Sequence, residues 1–409
     1  MSEIIIIGAG LAGLTCARRL HAAGVNCVVL EAGNAVGGRV RTDLVEGFRL
    51  DRGFQVFLTA YPTARAWLDY EQLQLRTFAA GSRVRCDGAM HLVSDPWREP
   101  LALWATLRAP VGSLADKVRI ATLRRAARRG SLAELWARPE TTALTALRAH
   151  GFSERMIERF LRPWFGGIFL DRELETSSRM LEFVFRMLAE GHAALPAAGM
   201  QAIPDQLAAG LPTGTVKLGA RVARVETGAL FLDSGERIAT RHIVVATENA
   251  GAAALLPEVG VPKWRATTTI YFAAAKSPLG APMLVLNGEG RGYVNNLVVL
   301  SDVAPSYAPA GLALVAVSVL GDPTLEERAL VERVREELRA WFGDVVADWR
   351  WLRSYRLPWA LPARMPLVRK QPVEVRPGVW IAGDGRASAS IQGAMESGEA
   401  VALEILRTK

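Results

Sequence analysis

The chain has few of the residue types that build disulfide frameworks and metal centres. Its 409 residues include three cysteines, Cys16, Cys27 and Cys86, which are too scattered for a disulfide scaffold, so we expect small buried core residues. The five histidines stand apart from one another, and no metal site is predicted. The sequence motifs of the serine-hydrolase elbow and of the phosphate-binding loop are also absent, which argues against both chemistries.

Long apolar runs are scarce too. The longest uncharged stretch, residues 303–321, contains two prolines and an apolar core only over residues 312–320, which predicts a buried strand rather than a membrane span. The first predicted strand begins at about Glu3, so we expect no signal peptide and interpret the chain as cytoplasmic.

Lysine is rare although the chain is basic. Only six of the 49 Lys and Arg residues are lysine, and the net charge is +8. No nucleic-acid-binding motif accompanies this charge, so we expect no nucleic-acid partner. A membrane surface or an anionic substrate stays open as a partner.

Glycine, by contrast, is concentrated near the start of the chain. Residues 4–7 are four isoleucines, and they run into the sequence Gly-Ala-Gly-Leu-Ala-Gly at residues 8–13. A helix is predicted over residues 11–23, and a second apolar run, residues 27–30, ends at Glu31. This order of strand, glycine turn, helix, strand and acid is the dinucleotide-binding βαβ unit.

Each glycine of this turn has a separate predicted role. Gly8 permits the tight turn, Gly10 lets the backbone approach a pyrophosphate, and Gly13 lets the helix pack closely on the strand. The helix N-terminus favours the negative charge of the diphosphate. Glu31 can accept hydrogen bonds from ribose hydroxyls and would repel a 2′-phosphate. We therefore predict an adenine dinucleotide other than NADP.

Two further motifs favour FAD over NAD. Gly37, Gly38 and Arg39 follow the acid and offer a second close backbone approach and a cation for the diphosphate. Near the C-terminus, a predicted strand over residues 379–382 ends in a Gly-Asp pair, and a helix with small residues on one face opens at Ser390.

At these motifs the chain resembles the flavin-containing amine oxidase superfamily, which includes monoamine and polyamine oxidases, protoporphyrinogen oxidase, and phytoene and squalene desaturases. The resemblance is strongest over residues 4–57, 160–250 and 378–406. It implies an α/β fold in which a Rossmann-like FAD-binding domain is interleaved with an α+β substrate and cap domain. The predicted FAD-binding segments are 1–58, 199–250 and 366–409, and the predicted substrate and helical cap segments are 59–198 and 251–365.

The resemblance also assigns roles to individual residues. Asp384 would hold the ribityl and phosphate region, the helix N-terminus at residues 391–394 would face the pyrimidine edge of the flavin, and the main chain of Val222 would contact adenine. Because no cysteine lies near Asp384, the FAD should be bound non-covalently. The implied FAD-binding residues are Gly8, Gly10, Leu11, Ala12, Gly13, Glu31, Ala32, Gly37, Gly38, Arg39, Gly53, Phe54, Val222, Gly383, Asp384, Ser390, Ile391, Gln392 and Ala394.

The remaining sequence predicts the outline of the other segments. Residues 61–196 have mainly helical periodicity and should form a cap. Strands are predicted at 216–225, 230–232, 243–246 and 349–355 and across 264–320, and a helix at 325–342.

The expected chemistry is the transfer of a hydride from a hydrophobic organic substrate to flavin N5, which requires positioning and exclusion of water but no obligatory acid or base. No catalytic residue is therefore assigned. The pocket candidates are aromatic or polar side chains near the motifs: Phe54, Gln55, Trp164, Phe165, Tyr271 and Trp359, with Phe57, Phe169 and Tyr293 as further aromatic candidates.

The type of reaction stays open at this point. The stretch Trp359-Ala360-Leu361-Pro362 resembles one in bacterial carotenoid and squalene desaturases, and residues 387–390 place no aromatic pair where amine oxidases have one. An amine oxidase that produces peroxide and a redox-neutral flavin-dependent isomerase are the alternatives. A basic amphipathic helix within residues 114–129, which carries Lys117, Arg119, Arg124, Arg125, Arg128 and Arg129, also suggests peripheral contact with an anionic membrane.

Overall fold

The computed structural model describes residues 3–260, 263–363, 367 and 372–408. The strands are β1 (Ile4–Ile7), β2 (Val28–Leu30), β3 (Thr42–Val45), β4 (Phe48–Asp51), β5 (Phe57–Leu58), β6 (Arg76–Thr77), β7 (Gly81–Cys86), β8 (Ala89–Ser94), β9 (Ala193–Leu195), β10 (Val216–Lys217), β11 (Val222–Glu226), β12 (Ala229–Leu232), β13 (Arg237–Ala239), β14 (His242–Val245), β15 (Lys263–Ala274), β16 (Leu284–Asn287), β17 (Val294–Val299), β18 (Ala313–Leu320), β19 (Arg350–Ala363), β20 (Glu374–Arg376) and β21 (Val379–Ile381).

About half of the helices follow one another between β8 and β9. The helices are α1 (Leu11–Ala22), α2 (Pro62–Trp67), α3 (Tyr70–Leu73), α4 (Leu103–Arg108), α5 (Leu114–Arg128), α6 (Leu132–Ala137), α7 (Ala143–Ala149), α8 (Glu154–Met156), α9 (Arg162–Phe169), α10 (Ser178–Glu190), α11 (Ala202–Ala209), α12 (Asn249–Leu255), α13 (Leu300–Val303), α14 (Glu327–Phe342) and α15 (Ile391–Arg407). No helix in the described ranges combines the length and the hydropathy needed to cross a bilayer.

A six-stranded sheet carries the predicted βαβ unit. Its order is β10-β2-β1-β14-β21-β20, parallel except for β20 at the edge. The isoleucines of β1 alternate between two cores: Ile4 and Ile6 pack on one face of the sheet, and Ile5 and Ile7 on the other. Because both faces are covered, the strand is apolar throughout rather than alternating. The predicted helix at 11–23 is confirmed as α1.

A seven-stranded sheet has the order β19-β15-β18-β17-β16-β7-β8 and is antiparallel except between β16 and β7. Alternate residues of β15 serve different cores. Ile270 and Phe272 pack with the apolar face of α14, whereas Tyr271 and Ala273 belong to the large core around the first sheet. One face of this sheet is thus closed by a helix, and the other is turned toward the rest of the molecule.

One local feature was not predicted, and one local prediction was wrong. Residues 61–196 are mainly helical as predicted, but β7 and β8 interrupt the helices with a hairpin that extends the seven-stranded sheet. The turn is Asp87-Gly88, with φ of +52° and +74°, an Asp-Gly signal typical of a two-residue hairpin. The strand predicted at 216–225 is broken at Gly219 (φ +69°), so its halves, β10 and β11, join different sheets.

The N-terminal and C-terminal segments meet through small residues. Helix α15 packs across α1, and a Cβ added at Gly398 would lie 2.0 Å from the carbonyl oxygen of Ala12. Close backbone contact of this kind requires glycine. The three strand-bearing stretches of the six-stranded sheet fall within the three segments predicted for FAD binding, although the domain boundaries themselves stay a prediction and Pro366 lies outside the described residues.

Candidate active site

A cavity of about 1420 Å³ lies between the six-stranded and the seven-stranded sheet. Sites for a single small ligand usually occupy about 300–1,000 Å³. The cavity therefore has room for a large cofactor together with a second molecule. One end is walled by the glycine turn and by the N-termini of α1 and α15, and the other by β15–β17, α4, α5, α9 and α10.

The glycine turn presents bare backbone to the cavity. Gly8 has φ of +104°, and a Cβ on Gly13 would lie 2.0 Å from the carbonyl oxygen of Gly8, so the turn and the packing of α1 on β1 both need glycine. Gly10 differs from them. A Cβ there would meet no atom of the described residues within 4 Å, and Gly10 lines the cavity together with Leu11 and Ala12.

Glu31, at the end of β2, holds two loops together. One carboxylate oxygen accepts a hydrogen bond from the amide of Ala9 at 2.8 Å, and the other accepts one from the amide of Gly33 at 2.7 Å. Glu31 and Ala32 line the cavity beside Val222. The carboxylate therefore braces the glycine turn, and its predicted contact with a ribose stays a prediction.

Arg39 and Asp384 form a two-pronged ion pair at the wall of the cavity. The guanidinium nitrogens lie 2.6 and 2.9 Å from the carboxylate oxygens, and Arg39 also donates to the carbonyl of Ala360 at 2.7 Å. Gly37 (φ +116°) and Gly38 (φ +59°) shape the loop before it. Arg39, which was predicted to bind the diphosphate, is thus paired with Asp384, which was predicted to bind the ribityl and phosphate region.

A second helix N-terminus faces the same cavity. The Ser390 hydroxyl caps α15 by accepting from the amide of Gly393 at 3.0 Å, and Ser390, Ile391 and Ala394 line the wall. Gln392 is not part of the described wall. Its buried side-chain amide bonds the backbone amide and the hydroxyl of Thr63, and its assignment to the cofactor site stays a prediction.

The segment before Gly53 and Phe54, which the family resemblance assigns to FAD binding, is anchored by the buried acid Asp51, to which no role was assigned from the sequence. The Asp51 carboxylate accepts hydrogen bonds from the hydroxyls of Thr42 and Tyr307, at 2.5 and 2.9 Å, and from the amide of Met200 at 3.0 Å. Full burial raises the pKa of Asp51 to about 6, against these hydrogen bonds. Asp51 therefore joins strand β4 to residues near 200 and 307.

The next residues of this segment form the cavity wall. Gly53 has φ of +89°, the Phe54 amide donates to the Thr269 hydroxyl at 3.1 Å, and the Gln55 side-chain amide donates to the carbonyl of Arg39 at 2.8 Å. Gly53, Phe54 and Gln55 all line the cavity.

The other predicted pocket residues divide into two groups. Trp164 and Trp359 line the cavity, as do Phe54 and Gln55. Five aromatic candidates are absent from its described wall: Phe57, Phe165, Phe169, Tyr271 and Tyr293. Phe165 follows Trp164 on α9 and is rotated from it by about 100°; it is fully buried and contacts the rings of Trp164 and Phe169. Tyr271 is drawn into the core because its hydroxyl donates to the carbonyl of Asp51 at 2.7 Å.

Several polar residues of the wall were not predicted to face a ligand. Thr247 follows the carboxyl end of parallel strand β14, and its buried hydroxyl has no hydrogen-bond partner within the described part of the protein. Its position at a strand end was a signal that it could face a ligand. Asp95, Arg124 and Asn296 come from distant stretches, and no local motif marks them.

Most of the wall at the far end of the cavity is apolar. The side chains there come from the cap helices and from the seven-stranded sheet, and they include Leu103, Leu107, Val111, Ile120, Met156, Phe160, Ile168, Met180, Val184, Phe185, Leu188, Leu284 and Leu286. This end excludes water from any ligand that it binds and offers few hydrogen bonds.

Comparison with known proteins places the chain in a family. A family model described as flavin containing amine oxidoreductase matches residues 11–406. Coproporphyrinogen III oxidase of Mycobacterium leprae is 27% identical over 170 residues, which cover 40% of this chain and 36% of that protein. The alignment therefore spans about a third of that curated relative.

Solved structures match over the whole fold. An oxidoreductase from Methanosarcina mazei superposes with a TM-score of 0.76 at 20% identity, covering 98% of this chain and 99% of that one. Reduced UDP-galactopyranose mutase superposes with a TM-score of 0.73 at 15% identity, covering 100% and 96%. The predicted resemblance and the mixed α/β fold class are thereby confirmed.

Proposed function

Because the chain belongs to the flavin-containing amine oxidoreductase family, we propose that it is an FAD-dependent dehydrogenase, desaturase or oxidase that takes a hydride from a hydrophobic organic substrate. The observation that carries this proposal is the division of one cavity into a backbone-lined end, suited to a dinucleotide, and an apolar end, suited to such a substrate. Membership of this family supports a flavin cofactor. The identity of the flavin as FAD, its mode of attachment, the reaction and the substrate are proposed.

The residues present fit FAD. The open space at Gly10 is a cradle that any side chain would fill, and the N-termini of α1 and α15 both offer partial positive charge to the cavity. The unpartnered hydroxyl of Thr247 offers a further hydrogen bond. We assign the diphosphate to the turn at residues 8–12, the adenosine to Glu31 and Val222, and the flavin ring to the wall between residues 53–55 and α15.

Non-covalent attachment is proposed from the state of the cysteines. Cys16, Cys27 and Cys86 are buried, and none belongs to the described wall of the cavity. Burial raises the pKa of the Cys27 thiol to about 11 and that of Cys16 still further. Since the thiolate is the nucleophile, these side chains are unsuited to forming a bond with the flavin.

The chain would contribute orientation, exclusion of water and electrostatics to the reaction. The bound flavin supplies the hydride acceptor at N5. The N-terminus of α15 would offer partial positive charge to the edge of the ring, and the Arg39–Asp384 pair braces the wall. Phe54 and Trp164 would hold an apolar substrate against this wall.

An apolar substrate fits this cavity better than a charged amine does. An ammonium group buried at the apolar end of this cavity would need a carboxylate to pair with, because burying an unpaired charge is costly. Each of the four carboxylates on the described wall is already engaged: Asp384 by Arg39, Asp95 by Arg124, and Glu31 and Glu248 by backbone amides. We therefore propose an extended or conjugated apolar substrate.

The test is titration of the flavin-loaded protein with candidate donors without oxygen, followed by the visible flavin absorbance. Stoichiometric bleaching by apolar, conjugated donors, together with a dehydrogenated product, is expected. Bleaching by amines alone, with peroxide released in air, would make the protein an amine oxidase instead. Conversion of an apolar substrate into an isomer with no net bleaching would make it a redox-neutral isomerase, and either result would overturn the proposal.

A further inference from the structure

The mouth of the cavity carries a cluster of exposed apolar side chains. Between 39% and 98% of each is exposed, which is unusual for large hydrophobic residues of this chain. The cluster, called the mouth patch below, consists of Trp97, Leu101, Leu103, Trp104, Leu114 and Val118. Contiguous exposed apolar surface of this kind marks a binding surface rather than chance exposure.

Four of the six residues of the mouth patch also belong to the cavity wall. Trp97, Leu103, Leu114 and Val118 all line the cavity, so apolar surface continues from the outside to the inside. Leu101 and Trp104 lie one helical turn apart, next to Leu103.

Hydrogen bonds join helices α4 and α5 beneath this surface. The Lys117 ammonium donates to the carbonyl oxygens of Leu107 and Ala109 at 2.6 and 3.0 Å, which holds the first turns of α5 against the end of α4. The Arg124 guanidinium lies 5.0 Å from the ring of Trp97. The patch is therefore a fixed feature of the fold.

Positive charge surrounds the mouth patch. Residues 95–129 contain eight Lys and Arg residues and three Asp and Glu residues, a net charge of +5 within a chain of net charge +8. Asp95 and Asp116 each neutralise one of these cations, since Asp95 lies 3.0 Å from Arg124 and the buried Asp116 lies 3.5 Å from Arg119. Arg108, Arg125 and Arg129 are exposed.

The structure also refines the predicted membrane contact of the basic helix. Of the cations predicted to face a bilayer, Lys117 and Arg124 point inward to protein carbonyls and to Asp95, and Arg128 lies 3.8 Å from Glu190. The helix alone is therefore a weaker docking surface than the charge count suggests. The apolar side chains of the mouth patch complete it.

We propose that the mouth patch docks on an anionic bilayer, and that the substrate enters the cavity directly from the lipid. Indole rings favour the interface between headgroups and hydrocarbon, and exposed arginines attract anionic headgroups. A second copy of this chain would bring the same positive charge to the contact, which disfavours self-association through this face. The substrate class rests on the proposed function, whereas the docking does not.

The test uses flavin-loaded protein and vesicles of phosphatidylcholine with or without phosphatidylglycerol. We expect sedimentation with the anionic vesicles that weakens as salt rises, since charge is screened over about 10 Å at 0.1 M ionic strength. Leu101→Gln with Trp104→Gln should weaken binding on the order of 100-fold, from the lost burial of two large side chains. Arg108→Gln with Arg125→Gln should weaken it by about 25-fold.

Matched controls are Leu44→Gln and Val345→Gln, which alter side chains of similar exposure (71% and 56%) away from the cavity wall. They should bind as the wild type does, and all variants should keep their flavin. Absence of vesicle binding by the wild type, or equal binding by the Leu101/Trp104 variant, would overturn the proposal. So would a dimer in lipid-free buffer that the Leu101/Trp104 variant converts to a monomer.

A second arm separates docking from substrate entry. A donor identified by flavin bleaching is supplied dissolved in the vesicles, and we expect it to reduce the wild-type flavin at least about tenfold faster than the flavin of the Leu101/Trp104 variant. Equal rates would overturn entry from the lipid. The sedimentation result does not depend on any donor, so failure of the proposed function remains distinguishable from failure of docking.

Discussion

The two ends of the cavity differ in whether backbone or side chains form the wall. The cofactor end consists largely of backbone: the turn at residues 8–13, the loop at 37–39 and the N-terminus of α15. The substrate end consists of apolar side chains from the cap helices and from one face of the seven-stranded sheet. Backbone can approach a ligand closely only where glycine permits it, so the first end leaves a motif in the sequence.

The substrate end leaves no such trace, because apolar side chains are interchangeable as long as they fill the space. Substitutions should therefore divide in the same way. Changes at the cofactor end should abolish folding or FAD binding at single positions, whereas changes at the substrate end should be graded.

The largest expected effect is at Gly13. Gly13→Ala would place a Cβ 2.0 Å from the carbonyl oxygen of Gly8. Because this oxygen belongs to the backbone, no side-chain movement relieves the clash. Overpacking usually costs about 1–3 kcal/mol, and here the free energy of unfolding should fall by more than that. Soluble yield and thermal unfolding report the result. A variant as stable as the wild type would contradict the close packing of α1 on β1.

Gly10→Val is the matched change at a neighbouring glycine. Its φ is −76° and no atom lies within 4 Å of an added Cβ, so the protein without flavin should unfold at the same temperature as the wild type. The side chain would occupy the proposed diphosphate site, and the FAD content should fall to roughly a tenth or less of that of the wild type. Normal FAD content would show that the diphosphate lies elsewhere.

Asp51 sits where the two ends join, and it should give the protein an unusual pH dependence. Its folded pKa of about 6 lies above the ordinary value of 3.8, so its contribution to stability is present below about pH 4 and is lost as the pH rises through 6. The loss amounts to about 3 kcal/mol. The difference in unfolding free energy between wild type and Asp51→Asn, measured in urea from pH 4 to 7, should shrink by this amount.

The control for this slope is Asp43→Asn. Although partial burial acts against it, hydrogen bonds from Arg52 and Tyr355 hold the pKa of Asp43 below its usual value. Its contribution is therefore present above about pH 4 and is lost as the pH falls. The two variants should thus show slopes of opposite sign, and slopes of the same sign would refute the assignment for Asp51.

Glu31→Ala tests the side chain that braces the glycine turn. Loss of a charge-assisted hydrogen bond costs about 1.5–3 kcal/mol, which weakens FAD binding by about one to two decades. Fluorescence titration of the flavin-free protein with FAD measures the Kd. An unchanged Kd would show that the carboxylate serves neither the ribose nor the turn.

Trp164→Leu should have the smallest effect of this series. An aromatic contact is worth about 1 kcal/mol, so the donor concentration for half-maximal flavin reduction should rise about fivefold with FAD content unchanged. The control is Phe165→Leu, one residue further along α9 and fully buried. Phe165→Leu should lower the unfolding temperature without changing donor binding. Weaker donor binding in Phe165→Leu but not in Trp164→Leu would contradict the assignment of Trp164 to the cavity wall and of Phe165 to the core.

Sequence reasoning predicted the cofactor end well because its requirements are local. A turn with φ of +104° at Gly8, a helix start at Leu11 and an acid at the end of β2 follow one another within a short stretch. Val222 was reached only through the family resemblance, since its place beside Glu31 depends on the break of the chain at Gly219.

The substrate end was predicted poorly because its geometry is set by tertiary packing. Phe165, Tyr271 and Trp164 are all aromatic, so the sequence made them equal candidates for the pocket. Only the rotation of α9 and the hydrogen bond to Asp51 decide which of them line the cavity. The Asp51 cluster draws on residues near 42, 200 and 307, which no local pattern connects. The β7–β8 hairpin was missed although its Asp-Gly turn was a readable signal.

The central claim is that one cavity holds FAD at its backbone-lined end without a covalent bond. It is tested most directly by denaturing the purified protein with acid and measuring the flavin in the supernatant and on the precipitated chain. The account predicts one FAD per chain in the supernatant and none on the polypeptide. A colourless protein that cannot be reconstituted with FAD, or flavin that stays on the precipitated chain, would contradict it.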